Sequence, residues 1–225
     1  MSLKAVFFDF NGVICDDEHI HCDLVCELSQ KQGFLVTRED YFKDFVGYDD
    51  KACFEEIFKR NNKQLMPEKL FGLIDQKHKL YKEKIHDQLK IFPGVIDTIQ
   101  RLSVSYPIAL VSGALRSEIE LVLDTIEIRD CFCFIVAAED TSHSKPHPEG
   151  YLKAFDLMRG HIKDLQPLEC LVIEDTVAGI EAAKKSGMIC MAVANSYLES
   201  ELRTADWVRA NLVGFEIREA EQYVK

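Results

Sequence analysis

The chain has 225 residues, with 38 acidic and 27 basic side chains and a formal net charge of −11. A charge of this sign repels polyanions, and the sequence contains no basic patch to offset it, so we expect neither a nucleic-acid partner nor an anionic-membrane partner. Hydrophobic residues make up 47% of the chain and charged residues 29%. This balance is typical of a folded globular protein and excludes collagen-like and largely disordered chains.

The sequence offers no targeting or spanning segment by its pattern. No stretch approaches the ~20 apolar residues that cross a bilayer, and the opening apolar run ends in Asp9 rather than in small residues that could be cleaved. The eight cysteines form no CxxC pair, so we expect free thiols rather than a disulfide scaffold or a zinc knuckle. We therefore expect a cytoplasmic protein. We also expect a monomer or a weak dimer.

Short runs of consecutive apolar residues predict strands that are buried on both faces of a parallel sheet. They are Ala5–Phe8, Ile108–Val111, Leu171–Ile173 and Ile189–Ala194. Helical patterns lie between them, notably at Ser117–Ile126 and at Val177–Lys185, which Gly187 follows as a stop. Strands that alternate with helices predict an α/β fold with a doubly wound, Rossmann-like parallel sheet.

A second region is expected to be entirely helical. Residues 16–91 show helical periodicity without a strand-like run, for example at Ala52–Phe58 and Lys69–Ile85. The turn at Phe92–Gly94 then returns the chain to the α/β pattern. We therefore predict a core domain of residues 1–15 plus 92–225, with a helical cap domain, residues 16–91, inserted after the first strand.

Polar residues follow the predicted strands, at the sheet edge where ligands bind in open α/β folds. They are Asp9, Asn11 and Gly12; Ser112, Gly113 and Ala114; Lys145; and Glu174 with Asp175. Carboxylate oxygens suit Mg²⁺, whereas a hydroxyl, backbone N–H groups and a lysine suit phosphate oxygens. Aspartate can also attack phosphorus directly. This inventory predicts a site for a phosphoryl group held by a divalent metal.

Four motifs in this order resemble the haloacid dehalogenase-like (HAD) superfamily of aspartate-nucleophile phosphohydrolases. They are DFNGV (9–13), VSGA (111–114), the lysine of SKPHPEGY (144–151) and IEDTVAGIEAAKKSGM (173–188). DDEHIH (16–21) and FVGYDD (45–50) are similar to motifs of its β-phosphoglucomutase-like and phosphoglycolate-phosphatase-like subgroup, which carries a helical cap. The resemblance implies a Mg²⁺-dependent enzyme that acts on a small phosphorylated metabolite.

The resemblance also implies roles for individual residues. Asp9 would be the nucleophile, and the metal ligands would be Asp9, the Asn11 carbonyl and Asp175, with Glu174 beside them. The phosphoryl group would be bound by Ser112, Lys145 and the backbone N–H groups of Gly113 and Ala114. His21, Gly47 and Lys77 match cap residues of the subgroup that face the substrate.

Two departures from the family pattern bear on activity. Asn11 stands where these phosphatases and mutases have an aspartate that acts as acid and base, and an amide can do neither. Mutases of the subgroup have an arginine for a second phosphate shortly after the loop glycine, where this chain has Tyr48, Asp49 and Asp50. Acidic groups at this place would repel a second phosphate. We therefore expect a phosphohydrolase of a small phosphate monoester, such as a sugar phosphate, with impaired turnover. A β-phosphoglucomutase-type mutase and a non-catalytic phosphate- or partner-binding protein are the alternatives.

Some of these residues also have ordinary structural interpretations. His21 fits a surface helix position as well as a functional one. Lys77 lies in a run with Lys79, Lys82 and Lys84, which favours a solvated helix face. His143 and His147 flank Lys145 in HSKPH, and because no third soft ligand is spaced nearby in the sequence, a loop without metal is the expectation there.

Overall fold

The computed structural model describes residues 2–224. The chain divides into two compact units. One, here called the core unit, runs up to Cys15 and resumes at Ile91, and the other, the helical unit, is Asp16–Lys90.

The core unit is built on a six-stranded sheet in which every neighbouring pair is parallel. Its strands are β1 (Ala5–Phe8), β2 (Ile108–Val111), β3 (Phe132–Val136), β4 (Cys170–Glu174), β5 (Ile189–Val193) and β6 (Trp207–Arg209). The order across the sheet is β3-β2-β1-β4-β5-β6. This confirms the predicted doubly wound α/β fold, whose strand order reverses between β1 and β4.

The helical unit consists of four helices, α1 (Glu18–Lys31), α2 (Arg38–Asp44), α3 (Asp50–Arg60) and α4 (Pro67–Gln88). The Thr37 side chain accepts a hydrogen bond from the Asp40 N–H and so caps α2, and Asp49 caps α3 through the Ala52 N–H. Pro67 begins α4, where a missing N–H costs nothing. The helices bury their apolar faces in a core of their own that includes Val25, Leu28, Phe54, Ile57 and Phe58.

The described part of the core unit contains five further α-helices, α5 (Val95–Ser105), α6 (Arg116–Thr125), α7 (Glu149–Met158), α8 (Val177–Lys185) and α9 (Arg218–Glu221), besides three short 3-10 helices. Gly94 precedes α5 at a φ of 81°, and a Cβ there would lie 2.4 Å from the Val213 nitrogen, so this turn requires glycine. Side chains from β1, β2, β4 and β5 pack with α7 and α8 in one buried cluster. Burial of a single such side chain as large as Phe7 stabilises the fold by about 1.5–3 kcal/mol.

The four apolar runs locate the four central strands, β1, β2, β4 and β5, and the edge strands β3 and β6 are not among them. All residues of β1, β2, β4 and β5 are buried, as consecutive apolar positions require. Strand β6 is a three-residue edge strand whose side chains are half-buried, and its WVR sequence carries no such run. Within residues 2–224, no helix combines the length and the apolar character needed to cross a bilayer.

Candidate active site

The strand ends at the reversal point of the sheet bring three carboxylates together. Asp9 follows β1, Glu174 is the last residue of β4 and Asp175 comes directly after it. The Asp9 N–H donates to the Ile173 carbonyl at 3.0 Å, which extends the pairing of the two strands into the site. One carboxylate oxygen from each of the three residues lies within 4.8 Å of the others. All three side chains are buried.

Lys145 ties this cluster to the neighbouring strand. Its Nζ lies 2.7 Å from Asp9 Oδ1 and 2.6 Å from Glu174 Oε1, and it donates to the Val111 carbonyl at 3.3 Å. The ammonium also lies 5.3 Å from the centre of the Tyr151 ring. One lysine therefore contacts the ends of β1, β2 and β4, although it is distant from all of them in the sequence.

The Glu174 carboxylate is fixed in place from several directions. Tyr151 Oη donates to Oε1 at 2.7 Å, while Oε2 accepts from the Asp175 N–H and from the Thr176 hydroxyl. A Cβ at Gly179 would lie only 1.9 Å from this carboxyl group, so the backbone of α8 can approach it only as glycine. Glu174 thus holds the Lys145 ammonium in a defined position beside Asp9.

The two carboxylate oxygens of Asp175 have different surroundings. Ser196 Oγ donates to Oδ2. Oδ1 is buried and, among the described residues, has no hydrogen-bond partner. Gly12, at a φ of 76°, packs directly against this carboxylate, because a Cβ there would lie 1.9 Å from Oδ2. A buried carboxylate oxygen left without a donor is costly, and a bound cation would satisfy it.

The cluster holds three carboxylates and one ammonium. Burial, followed by the charge of Glu174, raises the pKa of Asp9 to about 7 even though Lys145 opposes the shift. Burial and the two neighbouring carboxylates likewise raise the pKa of Asp175. Burial by itself would lower the pKa of Lys145, but the charges of Asp9 and Glu174 outweigh it and raise that pKa. Three carboxylates around one ammonium therefore fit a divalent ion with oxygen ligands, such as Mg²⁺.

The turn after β2 presents a hydroxyl and backbone groups at the same edge of the sheet. The Ser112 N–H donates to the Val136 carbonyl at 2.9 Å, and Ser112 Oγ accepts from the Ala114 N–H at 3.0 Å. Ser112 is buried, whereas Gly113 is exposed. Lys145 reaches this turn through its contact with the Val111 carbonyl.

The helical unit contains a buried polar network of its own. Lys77 is 1% exposed, and its Nζ lies 2.6 Å from His21 Nδ1 and 2.6 Å from Asp50 Oδ1. His21 Nε2 lies 3.3 Å from Asp17 Oδ2, which also accepts from Tyr81 Oη at 2.6 Å. The interpretation of Lys77 as part of a solvated helix face is therefore wrong, because its partners come from α1 and α3.

Gly47 and Asp49 occupy the turn between α2 and α3. Gly47 has a φ of 84°, which a residue with a side chain adopts only at a cost. Asp49 Oδ1 accepts from the Ala52 N–H at 2.7 Å and so serves as the cap of α3. The two aspartates of the FVGYDD motif thus have different partners, since Asp50 pairs with Lys77.

Several residues of the core-unit site lie outside the sequence patterns that predict the site. Tyr151 and Thr176 fix Glu174, and Ser196 contacts Asp175. The Asn195 side chain donates to the Gly12 carbonyl at 2.7 Å and so holds the turn after β1. Asn195 and Ser196 directly follow Ala194, at the end of the β5 run, so the strand-end rule could have found them.

The doubly wound sheet thus carries Asp9 after β1, Glu174 and Asp175 at the end of β4, and Lys145 between these carboxylates. The family model described as haloacid dehalogenase-like hydrolase matches residues 6–193. A haloacid dehalogenase-like hydrolase domain-containing protein of Arabidopsis thaliana is 30% identical over 228 residues, covering 87% of this chain and 69% of that protein. This chain belongs to the haloacid dehalogenase-like hydrolases.

A phosphatase sequence and a phosphomutase structure are also similar to this chain. Validoxylamine A 7'-phosphate phosphatase of Streptomyces hygroscopicus subsp. limoneus is 24% identical over 212 residues, which cover 90% of this chain and 91% of that enzyme. The crystal structure of β-phosphoglucomutase from Clostridium difficile is similar with a TM-score of 0.83 at 24% identity, covering 99% of this chain and 97% of that one. The structural likeness confirms the fold of the predicted subgroup.

Proposed function

We propose that the protein is a Mg²⁺-dependent phosphohydrolase of a small phosphate monoester that acts through an aspartyl phosphate on Asp9. The observation that carries the proposal is the position of Lys145, whose Nζ bridges Asp9 and Glu174. Asp175 belongs to the same carboxylate cluster, and its buried Oδ1 has no hydrogen-bond partner among residues 2–224. A lysine next to a nucleophilic carboxylate can bind the phosphoryl oxygens that approach it. Asp175 provides the ligand atom that a cation needs.

The residues divide into metal ligands and phosphate ligands. Mg²⁺ would be held by Asp9, Asp175 and the Asn11 carbonyl, with Glu174 close by. Bound there, it would neutralise charge on the carboxylates and on the phosphoryl group. The Ser112 hydroxyl, the N–H groups of Gly113 and Ala114, and Lys145 would bind the phosphoryl oxygens.

The reaction then follows from the chemistry of Asp9. An Asp9 carboxylate oxygen attacks phosphorus, the bond from phosphorus to the ester oxygen breaks, and the alcohol leaves as an alkoxide that must gain a proton. Water next attacks the phosphorus of the aspartyl phosphate, loses a proton, and releases inorganic phosphate and free Asp9. Proton transfer is needed in both steps.

Asn11 limits those proton transfers in this proposal. Its side-chain amide neither donates a proton to an alkoxide nor accepts one from water at neutral pH. General acid–base catalysis contributes about 10²–10⁴-fold. Turnover of alkyl phosphates should be slow, while binding of metal and phosphate should be retained.

The helical unit favours a monophosphate over a bisphosphate. Asp50 lies 2.6 Å from the Lys77 ammonium and offsets its charge, so this lysine is less able to attract a second phosphate. A different observation favours the second candidate, a phosphomutase. His21 and Lys77 match cap residues of the mutases, and the structure pairs them at 2.6 Å in a buried position. The assignment of His21, Gly47 and Lys77 to substrate binding stays a prediction.

Phosphate release from a panel of sugar phosphates and polyol phosphates, measured with and without Mg²⁺, tests the proposal. We expect slow, Mg²⁺-dependent release that is lost in Asp9→Asn. Asp97→Asn, which removes an exposed carboxylate on α5, should retain it and serves as the charge-matched control. Isomer formation that exceeds phosphate release would favour the mutase, and Mg²⁺ binding without turnover, even in Asn11→Asp, would favour the binding protein.

A further inference from the structure

Two histidines and a glutamate meet in the loop that leads into α7. His143 Nδ1 lies 2.8 Å from Glu149 Oε2, and His147 Nδ1 lies 3.9 Å from the same oxygen. The two imidazole rings are 4.6 Å apart between centroids. One ligand atom from each of the three residues lies within 4.8 Å of the others. These residues are distinct from the carboxylates around Lys145.

The backbone holds the glutamate of this group in position. Glu149 Oε1 accepts from the Ser142 N–H at 2.8 Å, and Oε2 accepts from the His143 N–H at 3.0 Å. These hydrogen bonds, together with that from the His143 ring, lower the pKa of Glu149, so the carboxylate is charged at neutral pH. The carboxylate is therefore oriented before any ligand arrives, which reduces the entropy lost on binding.

The distances between the ligand atoms of the three side chains are close to those found around a coordinated metal ion. Zn²⁺ binds imidazole nitrogen and carboxylate oxygen at about 2.0–2.2 Å, which places two tetrahedral ligands about 3.3 Å apart. The observed separations of 2.8 Å and 3.9 Å lie on either side of that value. Small side-chain rotations would make both distances fit, and the long 3.3 Å contact from the Glu149 N–H to His147 Nδ1 would be given up.

The ligand atoms of His143, His147 and Glu149 favour a different metal from the one that the carboxylate cluster of the core unit favours. Imidazole suits Zn²⁺ and its neighbours in the first transition series, whereas Mg²⁺ takes oxygen ligands. The His143 and His147 side chains are 66% and 52% exposed, so an ion can reach them from solvent and complete its shell with water. Neither ring is explained by burial in a core.

We propose that His143, His147 and Glu149 form a Zn²⁺ site in the loop that carries Lys145. Binding replaces the hydrogen bond between His143 and Glu149 with two nitrogen–metal bonds and one oxygen–metal bond. Lys145 lies between the two histidines in the chain, so an ion at this site restrains both sides of that lysine. The site provides a way for Zn²⁺ to alter the position of Lys145.

Isothermal titration of the tag-free protein with Zn²⁺, in excess Mg²⁺ that saturates the carboxylate site, tests this proposal. We expect one Zn²⁺ per chain, an affinity at least tenfold weaker in His143→Gln or His147→Gln, and loss of that ion in the double variant. The matched control is His86→Gln, since His86 is also exposed and also lies beside a carboxylate, Asp87, at 3.0 Å, without a second histidine as partner in the described chain.

Two further measurements identify the ligands and exclude other sources of binding. Co²⁺ in place of Zn²⁺ should give ligand-field absorption without a thiolate charge-transfer band, whereas binding by Cys131 or Cys133 would produce that band and overturn the proposal. Equal Zn²⁺ binding by the wild type and the double variant would show an adventitious ion only. Mg²⁺ binding to the double variant should be unchanged, so failure here is distinguishable from failure of the proposed phosphatase site.

Discussion

The substitution Asn11→Asp gives the sharpest test of the chemistry at Asp9. The turn that carries residue 11 is held by its backbone, because the Ile14 N–H donates to the Phe10 carbonyl at 2.7 Å and the Gly12 N–H to the Cys15 carbonyl at 3.0 Å. Asn and Asp are nearly isosteric, so the turn should survive. The variant gains a group that can protonate a leaving alkoxide and activate water.

The expected gain follows from the size of general acid–base catalysis. An increase of about 10²–10⁴-fold in kcat corresponds to about 2.7–5.4 kcal/mol of barrier. The gain should be largest for alkyl phosphates and smallest for 4-nitrophenyl phosphate, whose phenolate leaves without protonation. A fourth carboxylate beside Asp9, Glu174 and Asp175 also increases repulsion, so activity of the variant should depend more steeply on Mg²⁺.

Steady-state phosphate release over a series of esters with graded leaving groups measures both effects. Asn11→Ala is the control, because it also removes the side-chain amide of Asn11 but supplies no titratable group. The activity of this variant should stay near that of the wild type. If Asn11→Asp folds and binds Mg²⁺ yet turns over no ester faster than the wild type, proton transfer at residue 11 is not what limits this protein.

The remaining predictions concern metal binding, the turn after β1 and the buried lysine of the helical unit. Mg²⁺ at 100 times its Kd should stabilise the wild type by about 2.7 kcal/mol, or roughly 5–10 °C in Tm, and Asp175→Asn should abolish most of that shift in a thermal melt. Gly12→Ala should lower the free energy of unfolding by about 1–3 kcal/mol and weaken Mg²⁺ binding, since its Cβ would collide with Asp175. Gly33 has a similar φ of 81°, and no atom lies within 4 Å of a Cβ added there. In urea unfolding, Gly33→Ala should therefore lose only the free energy that a side chain costs at a positive φ. Lys77→Met should cost about 3 kcal/mol because it leaves Asp50 without its cation, and Asp50→Asn in the same chain should recover part of the loss.

Each of these three predictions can be contradicted by a specific result. A Mg²⁺-dependent Tm shift of equal size in Asp175→Asn would place the ion elsewhere. Equal losses of stability in Gly12→Ala and Gly33→Ala would show that contact with Asp175 is unimportant. If the double variant at residues 77 and 50 is no more stable than Lys77→Met, the pair is not coupled in the way that its 2.6 Å distance implies.

The pattern of apolar residues is enough to predict the four central strands of the sheet and the polar residues at their ends. Consecutive apolar positions, as in Ala5–Phe8, can be buried only where both faces of a strand are covered, and this condition indicates a parallel sheet between helices. Ligand groups in such a sheet lie beyond the strand ends, so the sequence alone is enough to select Asp9, Glu174 and Asp175 as candidate ligands. A strand of three half-buried residues, β6, carries too little pattern to be found in this way.

The pairing of these side chains depends on contacts between residues that are far apart in the chain. Spacing along a helix does not distinguish a lysine that faces water from one that meets a carboxylate on another helix, and Lys77 proved to be the second kind because Asp50 and His21 come from α3 and α1. The same holds for Tyr151 at Glu174 and for Glu149 between two histidines. Hydrogen bonds and ion pairs act over about 3 Å, whereas the sequence pattern reports only which side of an element is apolar.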